Sequence, residues 1–234
     1  MLIVLEGVDS SGKATQTSLL SEHLSQKESV MQISFPDYES DSSSLVKMYL
    51  GGMFGQDANS VSPYAASTFY AADRFASYKT KWGNFLNQNG IVICDRYTTS
   101  NMVHQAAKIE NQNEKDAFLS WLYDLEYNKM ELPKPDLVFF LDMPPAYARK
   151  LMERRANKFT GKSEKDIHER DTSHIVKAYN NAVYVAKKYD WHFIPCVKND
   201  EIRSIEDIHN EIVKVTEGVI YGISANTVRG QNEL

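Results

Sequence analysis

The sequence predicts an α/β fold, a five-stranded parallel sheet with helices on both faces, and three observations carry that expectation. Five short apolar runs, Leu2 to Leu5, Val30 to Ser34, Ile91 to Cys94, Leu137 to Leu141 and His192 to Pro195, recur with long helical patterns between them. Continuous runs such as Leu2-Ile3-Val4-Leu5 suit strands buried on both faces, the condition of a parallel sheet under helices. The chain has 234 residues and 42% apolar content, enough for one sizeable core. Its longest proline-, glycine- or serine-rich stretch, Ser40 to Ser44, is too short to separate domains and reads as a loop and a helix start.

Taken in order, the first strand ends at Leu5, and a helical pattern begins at Lys13, with Leu20 and Leu24 an i, i+4 pair beside Leu19. The longest helix opens at Ser62, a candidate N-cap, with Pro63 at the first helical position, and Asn89-Gly90 stops it before the third strand. Further helices are predicted over Lys115 to Lys129, Pro145 to Arg155, Ser173 to Lys188 and Ile205 to Glu217, the last opened by Ser204 with Asp207. Residues 1–217 therefore read as one domain. The tail, 218–234, carries Gly, Ser, Asn and Gln with little apolar pattern and is expected to be loosely ordered.

Between the first strand and its helix stands Gly7-Val8-Asp9-Ser10-Ser11-Gly12-Lys13-Ala14-Thr15, which reads as a phosphate-binding loop. Glycines at both ends let successive backbone N–H groups curl around phosphate oxygens, and the lysine ammonium reaches the β- and γ-phosphates. A helix starting at Lys13 adds its N-terminal N–H groups and positive dipole end. The residue after the lysine, normally a Ser or Thr that ligates Mg²⁺, is Ala14, whose methyl group cannot bind the metal. In open α/β sheets ligands lie outside the carboxyl ends of the strands. Gly7 to Lys13, Phe35 to Tyr38, Asp95 to Tyr97, Asp142 to Pro144 and the chain from Cys196 onward are thus expected to converge on one cleft.

Composition narrows the function classes. A net charge of −5 argues against a general nucleic-acid or anionic-membrane binder. No apolar run approaches a membrane span, and the start lacks a basic region followed by an apolar signal segment, so a cytoplasmic protein is expected. Cys94 and Cys196 fall in or beside strand-like runs and read as buried free thiols.

Distributed anchors then make the chain resemble the thymidylate kinases, P-loop nucleoside monophosphate kinases. These are Leu5-Glu6-Gly7-Val8-Asp9 into the loop, Phe35-Pro36, Tyr70-Ala71-Ala72-Asp73-Arg74, Asp95-Arg96-Tyr97 with Ser100, Pro135-Asp136-Leu137-Val138, and Arg154-Arg155 opening a charged segment. They stand in the family's order over roughly residues 1 to 215. The resemblance implies a three-layer P-loop NTPase fold with a lid at about 154–171, and transfer of the γ-phosphoryl of ATP to dTMP with Mg²⁺, in a homodimer. It implies that the loop holds ATP, with Lys13 neutralising the transferred group and Thr15 placed to bond phosphate. Asp9 would meet the acceptor's 3′-hydroxyl, Arg96 grip its phosphate, and Asp95 lie near the magnesium, directly or through water. Tyr70 would stack on the pyrimidine and Arg74 donate to its O4, with Phe35, Tyr38, Ser100, Asn101 and His104 completing the acceptor site. An arginine only donates, which suits a 4-oxo base and disfavours the amino group of cytosine. Because Ser10 stands where some members have an arginine, the lid's Arg154 or Arg155 would be the catalytic one.

Three departures bear on that reading: Ala14 after the lysine, Asp37-Tyr38 where many members place an arginine, and His168 in the lid where an aromatic is common. Two alternatives follow, a related kinase with another deoxynucleotide or nucleoside acceptor, and a nucleotide-binding relative that has lost turnover.

Overall fold

The computed structural model describes residues 1–55, 57–158 and 172–222, and of residues 58, 153–158 and 172–174 the backbone alone. Strands β1 (Leu2–Glu6), β2 (Val30–Ser34), β3 (Ile91–Asp95), β4 (Leu137–Asp142) and β5 (His192–Pro195) form one parallel sheet in the order β2-β3-β1-β4-β5. The central strand β1 pairs with β3 in the register Leu5↔Asp95 and with β4 as Glu6↔Phe140, and all five of its residues are buried.

Alternate residues of β1 enter opposite layers, as the two-residue period of a strand dictates. Ile3 and Leu5 pack with Leu20 and Leu24 of α1 (Lys13–Leu24) and with Ile208 and Ile212 of the C-terminal helix. Leu2 and Val4 belong to the other layer, with residues of the helices between β3 and β4 and of the helix before β5. Three layers result, and the strands' carboxyl ends open at one edge.

The remaining helices are α2 (Ser44–Leu50), α3 (Pro63–Ser77), α4 (Gly83–Asn87), α5 (Thr98–His104), α6 (Gln112–Tyr123), α7 (Pro145–Lys158), α8 (Thr172–Lys188) and α9 (Ile205–Tyr221). A two-stranded hairpin, Val197–Lys198 with Glu201–Ile202, precedes α9. Ser62 caps α3 by accepting from the Ala65 N–H at 3.2 Å, and Ser204 caps α9 by accepting from Asp207 at 3.0 Å.

Several sequence expectations need correction. The long helix after Ser62 is interrupted by a π-helical stretch, Tyr78–Trp82, before α4 continues it, and the extra residue carries Trp82 into full burial against the Tyr78 ring, 4.8 Å away. The helix expected over Lys115 to Lys129 likewise ends in a π stretch, Asp124–Lys129. Helix α9 does not stop at Glu217: it runs through Gly218, with Ile220 against the core, and ends at Gly222 with φ 63°. Tail residues 223–234 lie outside the described residues. The short α5 had no apolar period to announce it. Both cysteines are buried and free, and among the described residues no helix is long and apolar enough to cross a membrane.

Candidate active site

The loop between β1 and α1 is shaped by two glycines. A Cβ on Gly7 would stand 2.6 Å from Ser11 Oγ and 3.0 Å from the Leu141 carbonyl, and Gly12 holds φ 96°, a left-handed conformation that ordinary residues resist. Lys13, in the first turn of α1, is 6% exposed and its Nζ donates to the carbonyls of Gly7 and Val8, each at 2.9 Å. Burial and the Arg96 charge lower its pKa to about 8 despite Asp9, Glu6 and Asp95 nearby. A lysine curled back on its own loop beside a helix N-terminus is an arrangement suited to binding an anion. Ser11 is buried, whereas Ala14 and Thr15 are exposed on the first turn.

Beside the loop lies a charged cluster built on strand ends. Glu6 is fully buried and accepts from the Gly7 N–H (2.9 Å), Thr99 Oγ1 (2.8 Å) and Ser100 Oγ (2.6 Å). Arg96, just past β3, has φ 70°, a strain of about 1–3 kcal/mol of the kind tolerated where a side chain must be aimed. Its guanidinium pairs with Asp9 of the loop, lies 3.8 Å from Glu6 and donates to His104 Nε2 at 3.1 Å. Burial alone would raise the Asp9 carboxyl, but Arg96, Lys13 and His104 outweigh it and hold it well below the usual range. Asp95 goes the other way: burial, with Glu6 and Asp9, raises it past the pull of Lys13 and Arg96. Its Oδ1 is buried without a hydrogen-bond partner among the described residues.

Opening from this cluster is a cleft of about 610 Å³, its open mouth included. All nine residues assigned to the acceptor from the sequence line it: Asp9, Phe35, Tyr38, Tyr70, Arg74, Arg96, Ser100, Asn101 and His104. Arg96 and Asp9 stand where the cleft meets the loop. Tyr70 and Arg74, one helical turn apart on α3, line the same cleft. Arg74 is 1% exposed and gripped by Glu126 in a fork, Nε to Oε2 at 2.7 Å and Nη2 to Oε1 at 2.6 Å, and its Nη1 donates to the Tyr97 carbonyl at 3.4 Å. Asn101 donates to the Ser67 carbonyl (3.2 Å) and to Glu126 (3.4 Å).

Of the five strand-end segments expected to converge, three do, from Asp9, Phe35 to Tyr38, and Arg96-Tyr97. The other two line no part of the cleft. Asp142 accepts from Tyr179 OH (2.8 Å), and the Cys196 N–H donates to the Asp142 carbonyl, so those strand ends close on each other. Asp37 is paired with Lys81 at 2.5 Å, and its N–H donates to the buried Asp73, which thereby fixes the loop that carries Tyr38. Arg154 and Arg155 fall on α7 where only the backbone is described, and the lid from 159 to 171 lies outside the described residues.

Gln105, which lines the cleft, and Glu126, which stands behind Arg74, are residues the sequence reading missed. Glu126 continues the buried stripe Phe118, Leu122, Glu126, and a carboxylate on an apolar stripe was the available signal. Gln105 lines the cleft at 1% exposure, its Oε1 unpartnered among the described residues; its sequence context carried no signal.

A phosphate loop that shares an ion pair with a second cleft sets a donor site and an acceptor site side by side, the plan of a P-loop kinase with a small-molecule acceptor. The family model for thymidylate kinase matches residues 5–212. The chain is 33% identical over 186 residues to thymidylate kinase of Mycobacterium tuberculosis, covering 79% of this chain and 84% of the relative. It is 30% identical over 213 residues to thymidylate kinase of Plasmodium falciparum, covering 91% and 87%. The crystal structure of thymidylate kinase from Ehrlichia chaffeensis superposes with a TM-score of 0.65 at 24% identity, over 92% of this chain and 98% of that one, and shows the same fold. The chain belongs to the thymidylate kinase family.

Proposed function

We infer that the chain is an ATP-dependent phosphotransferase that converts dTMP to dTDP, and that the residues above act in the roles the family resemblance gives them. The observation that carries this reading is the position of Arg96, bonded to the loop's Asp9 on one side and facing the acceptor cleft on the other. In the reaction a phosphate oxygen of dTMP attacks the γ-phosphorus of ATP as the bond to the β,γ-bridging oxygen breaks, leaving ADP. The attacking phosphate needs no base at neutral pH, so the protein's work is alignment and charge neutralisation. Lys13 leaves the Gly7 and Val8 carbonyls for the β- and γ-phosphates, and loop N–H groups hold the rest. Arg96 exchanges Asp9 for the acceptor phosphate, which releases Asp9 to the 3′-hydroxyl. Tyr70 supplies a ring face to the pyrimidine and Arg74 a donor to O4. Arg154 or Arg155 brings a further charge when the lid closes.

The donor set fits magnesium bound through nucleotide phosphates and water. Ala14 supplies no hydroxyl, while Asp95 offers a buried oxygen with no hydrogen-bond partner among the described residues. The metal would neutralise phosphate charge, and Asp95 would help to hold it through water. A homodimer is also proposed; Tyr64 (41% exposed) and Phe75 (37%) lie three turns apart on one face of α3, an apolar stripe suited to helix pairing. Two buried thiols suit a reducing cytoplasm.

The test is ADP formation from ATP over dTMP, dUMP, dCMP, dGMP and thymidine, with and without magnesium. Magnesium-dependent turnover that favours dTMP is expected. Nucleotide binding without turnover on any acceptor would overturn the kinase reading.

A further inference from the structure

We propose that Glu126 is a positioning residue for acceptor selection: it fixes the guanidinium of Arg74 so that only a 4-oxo pyrimidine finds a donor at the end of the cleft. This rests on Arg74 reading the base, as proposed above, and extends that reading to a residue outside the cleft lining. Glu126 is 0% exposed and does not line the cleft; among the described residues every hydrogen bond its carboxylate accepts comes from a residue of α3 or α5. Both oxygens are engaged, Oε2 by Arg74 Nε (2.7 Å) and Thr98 Oγ1 (2.8 Å), Oε1 by Arg74 Nη2 (2.6 Å) and Asn101 Nδ2 (3.4 Å).

The geometry has a directional consequence. A fork of two parallel N–H···O bonds holds the guanidinium plane against rotation, which a single contact cannot do. Two of the five guanidinium N–H groups are then spent on Glu126 and one points to the Tyr97 carbonyl, so those that remain sit on the side away from Glu126. Since Arg74 lines the cleft, that edge presents donors only. A 4-amino group brought to it would leave two donors facing each other, whereas a 4-oxo group is satisfied. The carboxylate stands in the π-helical stretch Asp124–Lys129, whose widened turn departs from the regular helix. Asn101, held to Glu126 and to the Ser67 carbonyl, ties the same carboxylate to a second cleft residue.

Glu126→Asp tests this with the charge kept and the fork drawn back by one methylene. KM for dTMP is expected to rise at least about tenfold, KM for ATP to stay within about twofold, and the preference for dTMP over dCMP in kcat/KM to fall at least about tenfold. A residue that merely supports the fold would lower active enzyme without moving KM or the dTMP/dCMP ratio. Glu126→Gln puts an amide N–H against the fork and is expected to give the same pattern more strongly. If it fails to fold, the cycle of Glu126→Asp with Arg74→Met replaces it, in which Glu126→Asp has no further effect on acceptor KM once Arg74 is gone. Unchanged dTMP KM and selectivity in folded Glu126→Asp, while Arg74→Met loses both, would overturn the proposal and leave base reading intact. Full dTMP selectivity in Arg74→Met would instead overturn base reading itself.

Discussion

The two arginines that line the cleft are held by opposite means. Arg96 and Asp9, proposed to serve the acceptor phosphate and its sugar, are partly exposed, 21% and 33% by side chain, and are paired with each other. Arg74 and Glu126, proposed to serve the base, are 2% and 0% exposed and belong to a network that includes Thr98, Asn101 and Ser67. A site that must trade protein contacts for phosphate contacts is built from ion pairs with access to water, whose net cost of breaking is small. A site that must present one unvarying edge to a base is built from a pair whose partners cannot be spared, since breaking a buried pair costs about 3–5 kcal/mol.

Variants that separate activity from stability can break or sharpen this contrast. The largest effect on turnover is expected from Lys13→Met, which removes a charge needed chiefly in the transition state. kcat should fall about 10²–10³-fold, with dTMP binding by calorimetry little changed. Next come the two arginines. Arg96→Met should lower kcat/KM for dTMP about 10²-fold while costing less stability than Arg74→Met, because its pair with Asp9 has access to water and the buried Glu6 keeps three other donors. Arg74→Met should lower it by a similar factor yet cost about 3–5 kcal/mol in denaturant unfolding, because it strands Glu126. Equal stability losses in the two variants would erase the distinction.

A smaller effect is expected from pH. The substrate-free chain holds Lys13 with a pKa lowered to about 8, burial being the main cause. If only the ammonium form engages ATP, kcat/KM for ATP falls above about pH 8, approaching tenfold per unit, and Lys13→Arg removes that limb because a guanidinium stays charged. Stability moves the other way. With the folded pKa below the ordinary 10.5, the folded chain binds fewer protons between those values, so this group makes the protein more stable as pH rises, by about 3 kcal/mol across the window. A loss of activity accompanied by unfolding below pH 10 would contradict the assignment. The smallest change is expected from Ala14→Thr, which restores a hydroxyl on the exposed first turn and should lower the magnesium needed for half-maximal rate about two- to fivefold.

What was legible in the sequence follows the same division. The phosphate loop was readable because glycine at positions 7 and 12 answers to backbone geometry, and lysine at 13 to charge, both local properties. The sheet was readable because buried parallel strands are continuous apolar runs. Tyr70 and Arg74 could be paired by helical spacing alone. Their partner could not: Glu126 lies 52 residues from Arg74, and its place depends on a π stretch that no periodicity announces. The helix end at Tyr221 was missed because Gly218 resembles a terminator, although Ile220 one turn's length from Glu217 still had a core to reach. Asp73, quoted only as part of a run, proves to anchor the loop after β2 through Asp37 and Ser42.

The central claim is that acceptor phosphate and acceptor base occupy opposite ends of one cleft, and a crystal structure with dTMP tests it most directly. The phosphate should lie within about 3 Å of the Arg96 guanidinium with Asp9 no longer bonded to it, and O4 of the base within about 3 Å of Arg74, whose fork with Glu126 is unbroken. A nucleotide bound in the reverse sense, or one that draws Arg74 away from Glu126 while Asp9 stays paired with Arg96, would contradict the account.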